Sequence, residues 1–202
     1  MANTREIQSR MKSIQDTMKI TNAMYMISST KLRKAKKNLE ETEPYFYTLQ
    51  TMVSRIVRHL PEIDNKYFDE RKDQPAGEKT TGLIVVTADK GLAGAYNHNV
   101  LKMAEEQMQK AGQTGSYKLF VVGELGRQYF GHRGIKVAEQ LHYTAQNPTL
   151  HRARIITETN MEQLEEEQLD EVYIIYTNMV NSVTTEPQML RLLPIVKERF
   201  IT

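Results

Sequence analysis

The chain has 202 residues, 26% charged and 40% apolar, which suits one ordinary domain, or a smaller domain plus an extended element. It contains no cysteine, so disulfides, thiolate zinc sites and cysteine nucleophiles are excluded. The net charge of +2 is unevenly spread: residues 1–60 hold 11 Lys or Arg against 5 Asp or Glu, and residues 61–202 hold 16 against 20. Such an asymmetry marks a basic segment suited to an acidic partner or to nucleic acid.

No apolar run approaches the roughly 18 residues that a membrane-spanning helix needs. The first residues, Met1-Ala2-Asn3-Thr4-Arg5-Glu6, lack the apolar stretch of a signal peptide and do not resemble a transit peptide. The expectation is a soluble chain that is not exported.

Residues 4 to about 60 read as one helix, with Asn3 or Thr4 as its N-cap. Ile7, Met11, Ile14 and Met18 step by 4, 3 and 4, as do Leu49, Val53, Ile56 and Leu60, which makes two heptad-like seams. No glycine interrupts the run, and at 1.5 Å per residue such a helix is about 85 Å long. Pro44 is its one breaker, expected to kink the helix or to end it near Glu43. Around Met24 the pattern changes: Met18, Ile20, Ala23, Met24, Tyr25, Met26 and Ile27 are apolar nearly all round. A helix of that kind is buried on several sides, so it calls for a partner helix and a surrounding shell of other chains.

Pro61, Asp64, Asn65, Asp69, Asp73, Pro75 and Gly77 are turn and linker residues. The expected organisation is therefore a helix over 1–60, a linker over 61–80 and an α/β domain over 81–202. In that domain Leu83–Thr87, Lys118–Val122 and Glu171–Thr177 read as buried strands, 137–143 as an edge strand and 189–195 as a last strand. Residues 97–111, 124–132 and 149–167 read as helices. Alternating strands and helices imply a sheet covered on both faces.

Thr87-Ala88-Asp89-Lys90-Gly91-Leu92-Ala93-Gly94-Ala95-Tyr96-Asn97 follows a strand and opens a helix. Glycines in that place let a backbone approach a phosphate at a helix N-terminus. Yet the spacing is neither that of a Walker loop nor that of a dinucleotide fingerprint. A tight strand-to-helix turn is the simpler account and the favoured one. The basic run Lys31, Arg33, Lys34, Lys36 and Lys37 fits nucleic-acid phosphates, an acidic protein loop or plain solvent. It lacks interleaved aromatics and any DNA-reading motif. His59, His98, His132, His142 and His151 are scattered without metal-ligand spacing, and no serine sits in a nucleophile elbow. No catalytic, cofactor or metal constellation is found.

Two stretches carry a resemblance. Arg5-Glu6-Ile7, Met11-Lys12-Ser13-Ile14, Thr17, Lys19-Ile20-Thr21, Ala23-Met24, Met26 and Lys31-Leu32-Arg33-Lys34-Ala35 resemble the N-terminal helix of the F-type ATP synthase gamma-subunit family. Asp89 to Asn97 is similar to that family's glycine-containing loop. The order of long helix, linker and α/β domain is the family's too.

The resemblance implies a non-catalytic central-stalk subunit with a Rossmann-like α/β/α domain and no cofactor. Such a subunit couples ion flow through a membrane c-ring to chemistry on a ring of alpha and beta subunits. It implies that Ile20, Met24 and Ile27 sit in a coiled coil near beta, and that Lys31, Arg33 and Lys34 face acidic loops of beta. Asp89 and Lys90 then belong to a structural or interfacial loop, and the α/β domain meets epsilon and the c-ring. Family members continue into a second long helix that pairs with the first. Nothing after Arg199-Phe200-Ile201-Thr202 corresponds to it, so a shortened chain is expected. Localisation is expected at the cytoplasmic face of the cell membrane, through the complex alone and with no nucleic acid. The alternatives are a nucleotide-binding α/β enzyme using the Gly91/Gly94 loop, and a nucleic-acid binder using Lys31 to Lys37.

Overall fold

The computed structural model describes residues 3–60, 65–71, 73–138, 144–181 and 184–200. Contacts divide the chain into two units, residues 1–61 with 200–202, and residues 62–199.

The first unit is a single helix, α1 (Thr4–His59), of 56 residues. Asn3 is its N-cap, in extended conformation, with its side chain accepting from the Arg5 amide. Glu6 in the first turn and Arg58 and His59 in the last suit the helix dipole. Of the two outcomes expected at Pro44, ending the helix near Glu43 does not occur, since Pro44 lies inside α1. A proline removes one donor from the ladder, and on a helix open to solvent on all sides water can take the carbonyl left over. Threonine hydroxyls at 17, 21, 30, 42, 48 and 51 donate to the carbonyl four residues back, so these polar side chains spend their hydrogen bonds on the helix itself. Val57 is the one buried residue of α1 among those described.

The second unit is a mixed α/β layer structure. Its elements are β1 (Thr80–Val86), α2 (Tyr96–Thr114), β2 (Ser116–Val122), α3 (Glu124–His132), α4 (Leu150–Glu165), β3 (Glu171–Met179) and β4 (Thr185–Leu193). The strands form one sheet in the order β2-β1-β3-β4. β1 pairs in parallel with β2, Leu83 opposite Leu119, and with β3, Val85 opposite Ile175. β4 closes the sheet antiparallel to β3.

The pleat sorts side chains to two faces. Leu83, Val85, Leu119, Val121 and Ile175 pack with Val100, Leu101, Ala104 and Met108 of α2 and with Phe130 of α3. Ile84, Phe120 and Val172 pack on the opposite side with Leu169 and with Ile156 of α4. The three parallel strands β2, β1 and β3 read as β-branched and aromatic runs because residues on both of their faces are packed.

Two expected strands came out differently. The last, expected over 189–195, starts four residues earlier, at Thr185. Its first half, Thr185-Glu186-Pro187-Gln188, is polar because it lies on an edge, where a proline is tolerated. The edge strand expected over 137–143 is not assigned over 137–138, where one bond, from the Ala138 amide to the Leu119 carbonyl at 2.8 Å, runs to the free edge of β2. Residues 139–143 lie outside the described residues.

The segment expected to be a linker is stitched to the second unit. The Arg71 guanidinium donates to Asp170 Oδ1 at 2.6 Å, to the Leu164 carbonyl at 2.8 Å and to the Leu169 carbonyl at 3.3 Å. Asp170 is only 4% exposed, and its other oxygen accepts from the Thr80 amide at 2.7 Å. The guanidinium therefore neutralises a buried carboxylate and binds carbonyls in the last turn of α4 and just before β3. The Ile195 amide donates to the Tyr67 carbonyl at 2.6 Å. Lys66 pairs with Glu165, which holds the Glu165 carboxyl below its ordinary range and raises the Lys66 ammonium.

Candidate functional site

On α1 the residues expected to meet partner subunits, Ile20, Met24, Ile27, Lys31, Arg33 and Lys34, are exposed. Ile20, Met24 and Ile27 have 62%, 45% and 58% of their surface in solvent. Met18, Tyr25 and Met26 are exposed with them, so the apolar surface passes right round the helix. Lys31, Arg33 and Lys34 are also exposed and follow within two turns, joining a basic section to an apolar one. Isolated apolar residues on a surface are ordinary, but a contiguous belt of this kind marks an interaction surface.

The second site is the loop between β1 and α2. Its glycines suggested a phosphate cradle, whereas the structure brings out polar residues whose partners are distant in sequence. Three successive residues after β1 receive the three first amides of α3: Thr87 Oγ1 accepts from Gly126 at 3.0 Å, the Ala88 carbonyl from Leu125 at 3.2 Å, and Asp89 Oδ1 from Glu124 at 3.1 Å. These are the donors that a helix leaves unsatisfied at its start. Gly123, the residue before α3, has φ +103, and a Cβ there would meet the Thr87 carbonyl oxygen at 2.2 Å. The glycine is what lets strand and helix approach so closely.

Asp89 does more. Its Oδ1 also accepts from the Ala145 amide at 3.0 Å, and its Oδ2 from the Gln146 amide at 3.1 Å. At the far end of the loop, Asn97 Oδ1 accepts from the Ala88 amide at 2.9 Å. Between these anchors Lys90 is exposed and Leu92 stands 91% in solvent, Leu92 at φ +62 and Gly94 at φ +56. Asp89 and Lys90 are thus neighbours with different situations: the carboxylate is engaged within the fold, and the ammonium faces outward.

Beside this loop, Glu124 accepts from Arg127 and Gln128, and the Arg127 contact chiefly holds its carboxyl below the usual range. Desolvation, followed by its hydrogen bond to Glu105, raises the Tyr129 hydroxyl. Arg133 stacks on the Tyr129 ring at 3.7 Å and pairs with Glu105, which ties α3 to α2. No group of three or more potential metal-ligating residues is found among the described residues. No helix among them is long and apolar enough to cross a membrane.

Comparison with known proteins agrees over nearly the whole chain. A family profile described as ATP synthase matches residues 3–200. The ATP synthase gamma chain of Ruminiclostridium cellulolyticum is 41% identical over 193 residues, 96% of this chain and 64% of the relative. That of Acetivibrio thermocellus is 42% identical over 195 residues, again 64% of the relative. The gamma chain of Caldicellulosiruptor saccharolyticus is 31% identical over 203 residues, 69% of its length. The chain thus spans slightly under two thirds of the first two relatives. A central stalk and c-ring structure of Tetrahymena thermophila mitochondrial ATP synthase shares the fold, with TM-score 0.63 at 22% identity over 87% of this chain and 72% of the other. By its sequence along almost its full length, the chain belongs to the ATP synthase gamma chain family.

Proposed function

We propose that the chain forms part of the non-catalytic central stalk of an F-type ATP synthase, coupling ion flow through a membrane c-ring to ATP synthesis or hydrolysis on a ring of alpha and beta subunits. The observation that carries this is α1: 56 residues of helix with an apolar belt around Met24 and a basic section directly after it. Such a helix gains by being enclosed, at about 25 cal/mol for each Å² of apolar surface removed from water.

In this reading α1 is one half of an antiparallel coiled coil, with Ile20, Met24 and Ile27 packed near the beta subunits. Lys31, Arg33 and Lys34 face acidic loops of beta, where charge complementarity sets register. Lys90 contacts a partner from the loop whose base Asp89 supports. The second unit, a Rossmann-like domain, meets epsilon and the c-ring at the cytoplasmic face of the membrane. The stalk performs no bond chemistry. An asymmetric shaft presents a different surface to each beta subunit and so biases each toward a different conformation. Rotation moves that bias from one beta subunit to the next.

The test is size exclusion of the chain with its cognate epsilon subunit, with ATP binding measured in parallel. Co-elution without direct ATP binding is expected. Absence of a complex together with tight ATP binding overturns the reading.

A further inference from the structure

We propose that Asp89 is an internal latch, a single carboxylate that fastens the segment entering α4 onto the start of α3 and fixes one foot of the exposed loop 90–95. Two oxygens collect three backbone amides from two places far apart in the chain: Glu124 at 3.1 Å, Ala145 at 3.0 Å and Gln146 at 3.1 Å. All three are charge-assisted bonds to an anion, the stronger kind of backbone contact. One of the three donors is the first amide of α3, where the helix dipole adds to the attraction.

The neighbouring contacts separate the latch from the rest of the cap. Gly126 and Leu125 are served by Thr87 and by the Ala88 carbonyl, and neither needs Asp89. Ala145 and Gln146 have Asp89 as their acceptor. Removing the carboxylate therefore releases the 145–146 segment while the junction between β1 and α3 keeps two of its three bonds. The other foot of the loop, Asn97 on Ala88, also stays. The sequence places Asp89 in a glycine-containing turn between a strand and a helix. In the latch, the anion supplied to these amides belongs to the chain itself.

The experiment is Asp89→Ala in the 202-residue chain, read by amide hydrogen exchange and by thermal unfolding in acetate or formate against chloride at equal ionic strength. Exchange at Glu124, Ala145 and Gln146 should quicken about ten-fold or more, in line with the loss of hydrogen bonds to a charged group. Amides in β1 and β2 should stay closer to the wild type. Acetate or formate should raise the unfolding midpoint of the variant saturably and leave that of the wild type at its chloride value. The proposal is overturned if the three amides exchange as in the wild type, or if acetate stabilises the variant no more than chloride does. Should Asp89→Ala not fold, Asp89→Asn provides the second reading. It keeps an Oδ1 acceptor, so exchange should quicken at Gln146 and not at Glu124; equal protection of both amides refutes the latch.

Discussion

The two units of this chain treat the same kinds of residue in opposite ways. α1 carries Ile, Met, Leu and Tyr in heptad-like spacing and leaves them in solvent. In the sheet unit, similar residues are fully enclosed: Leu83, Val85, Leu119, Phe120, Phe130 and Ile175 are at most 2% exposed. Residues from both faces of its parallel strands pack against helices. The helix has the surface of a core element without the core. Apolar burial inside a domain serves stability, and in the proposed stalk the exposed apolar belt of α1 serves association.

The sharpest way to break this comparison is to make the same type of deletion in both units. Phe130→Ala should cost about 3–5 kcal/mol, since the ring lies wholly inside the cluster between α2, α3 and the sheet. Ile14→Ala, at a residue 67% exposed, should stay within about 0.5 kcal/mol. Urea denaturation of both variants measures the contrast; equal losses would mean that α1 is packed in solution.

Next in size is Arg71→Met. It strips the partner from Asp170 and a donor from the Leu164 carbonyl, and should cost about 2–4 kcal/mol, discounted because the Arg71 side chain is 22% exposed. Adding Asp170→Asn to it should recover part of the loss, which a double-mutant cycle in urea would read.

A smaller and purely intermolecular effect is expected on α1. The double variant Arg33→Glu with Lys34→Glu should leave unfolding of the chain alone unchanged. In a gamma chain assembled with alpha and beta it should weaken coupling of ATP hydrolysis to pumping, by roughly ten-fold if the charges face acidic loops. Unchanged pumping would remove these residues from the proposed interface.

The smallest effect belongs to Lys66→Met. Lys66 and Glu165 are solvent-exposed, so the midpoint at neutral pH should barely move. The sign with pH is set by the pair. Glu165, held below its ordinary 4.5, contributes stability above that value and loses it as pH falls through the folded-state value. Lys66, raised above 10.5, contributes below that value and loses it as pH rises through its own. Titrated melts of wild type and variant should therefore converge at both extremes.

The elements most legible in the sequence were those whose burial writes a one-letter pattern. Leu83-Ile84-Val85-Val86 and Tyr173-Ile174-Ile175 announce strands covered on both faces, and the 4-3-4 steps from Ile7 to Met18 announce a helix. The start of β4 was hidden because an edge strand accepts Glu186, Pro187 and Gln188. Pro44 lies inside α1, so of the two readings of that proline the helix end near Glu43 drops out. At the Asp89 loop the glycines attracted attention by type, while the residues that organise it, Thr87, Asp89 and Asn97, work through partners up to 57 positions away. Such pairings exist only once the sheet has brought the carboxyl ends of its strands together. Asp89 itself lay within the motif, but its task could not be read from its neighbours. The basic run and the apolar belt were legible as surfaces, since exposure needs no partner to be recognised.

The stitching of residues 65–79 has a mechanical consequence. Tension entering the second unit at residue 65 would meet the Lys66 pair and the Tyr67 carbonyl, then the three bonds of the Arg71 guanidinium, and only afterwards Thr80 and the central strand β1. The outer attachments can part and re-form while β1 keeps its ladders to β2 and β3. The segment is a strain relief, like the clamp that keeps a pull on a cable from reaching the soldered joint.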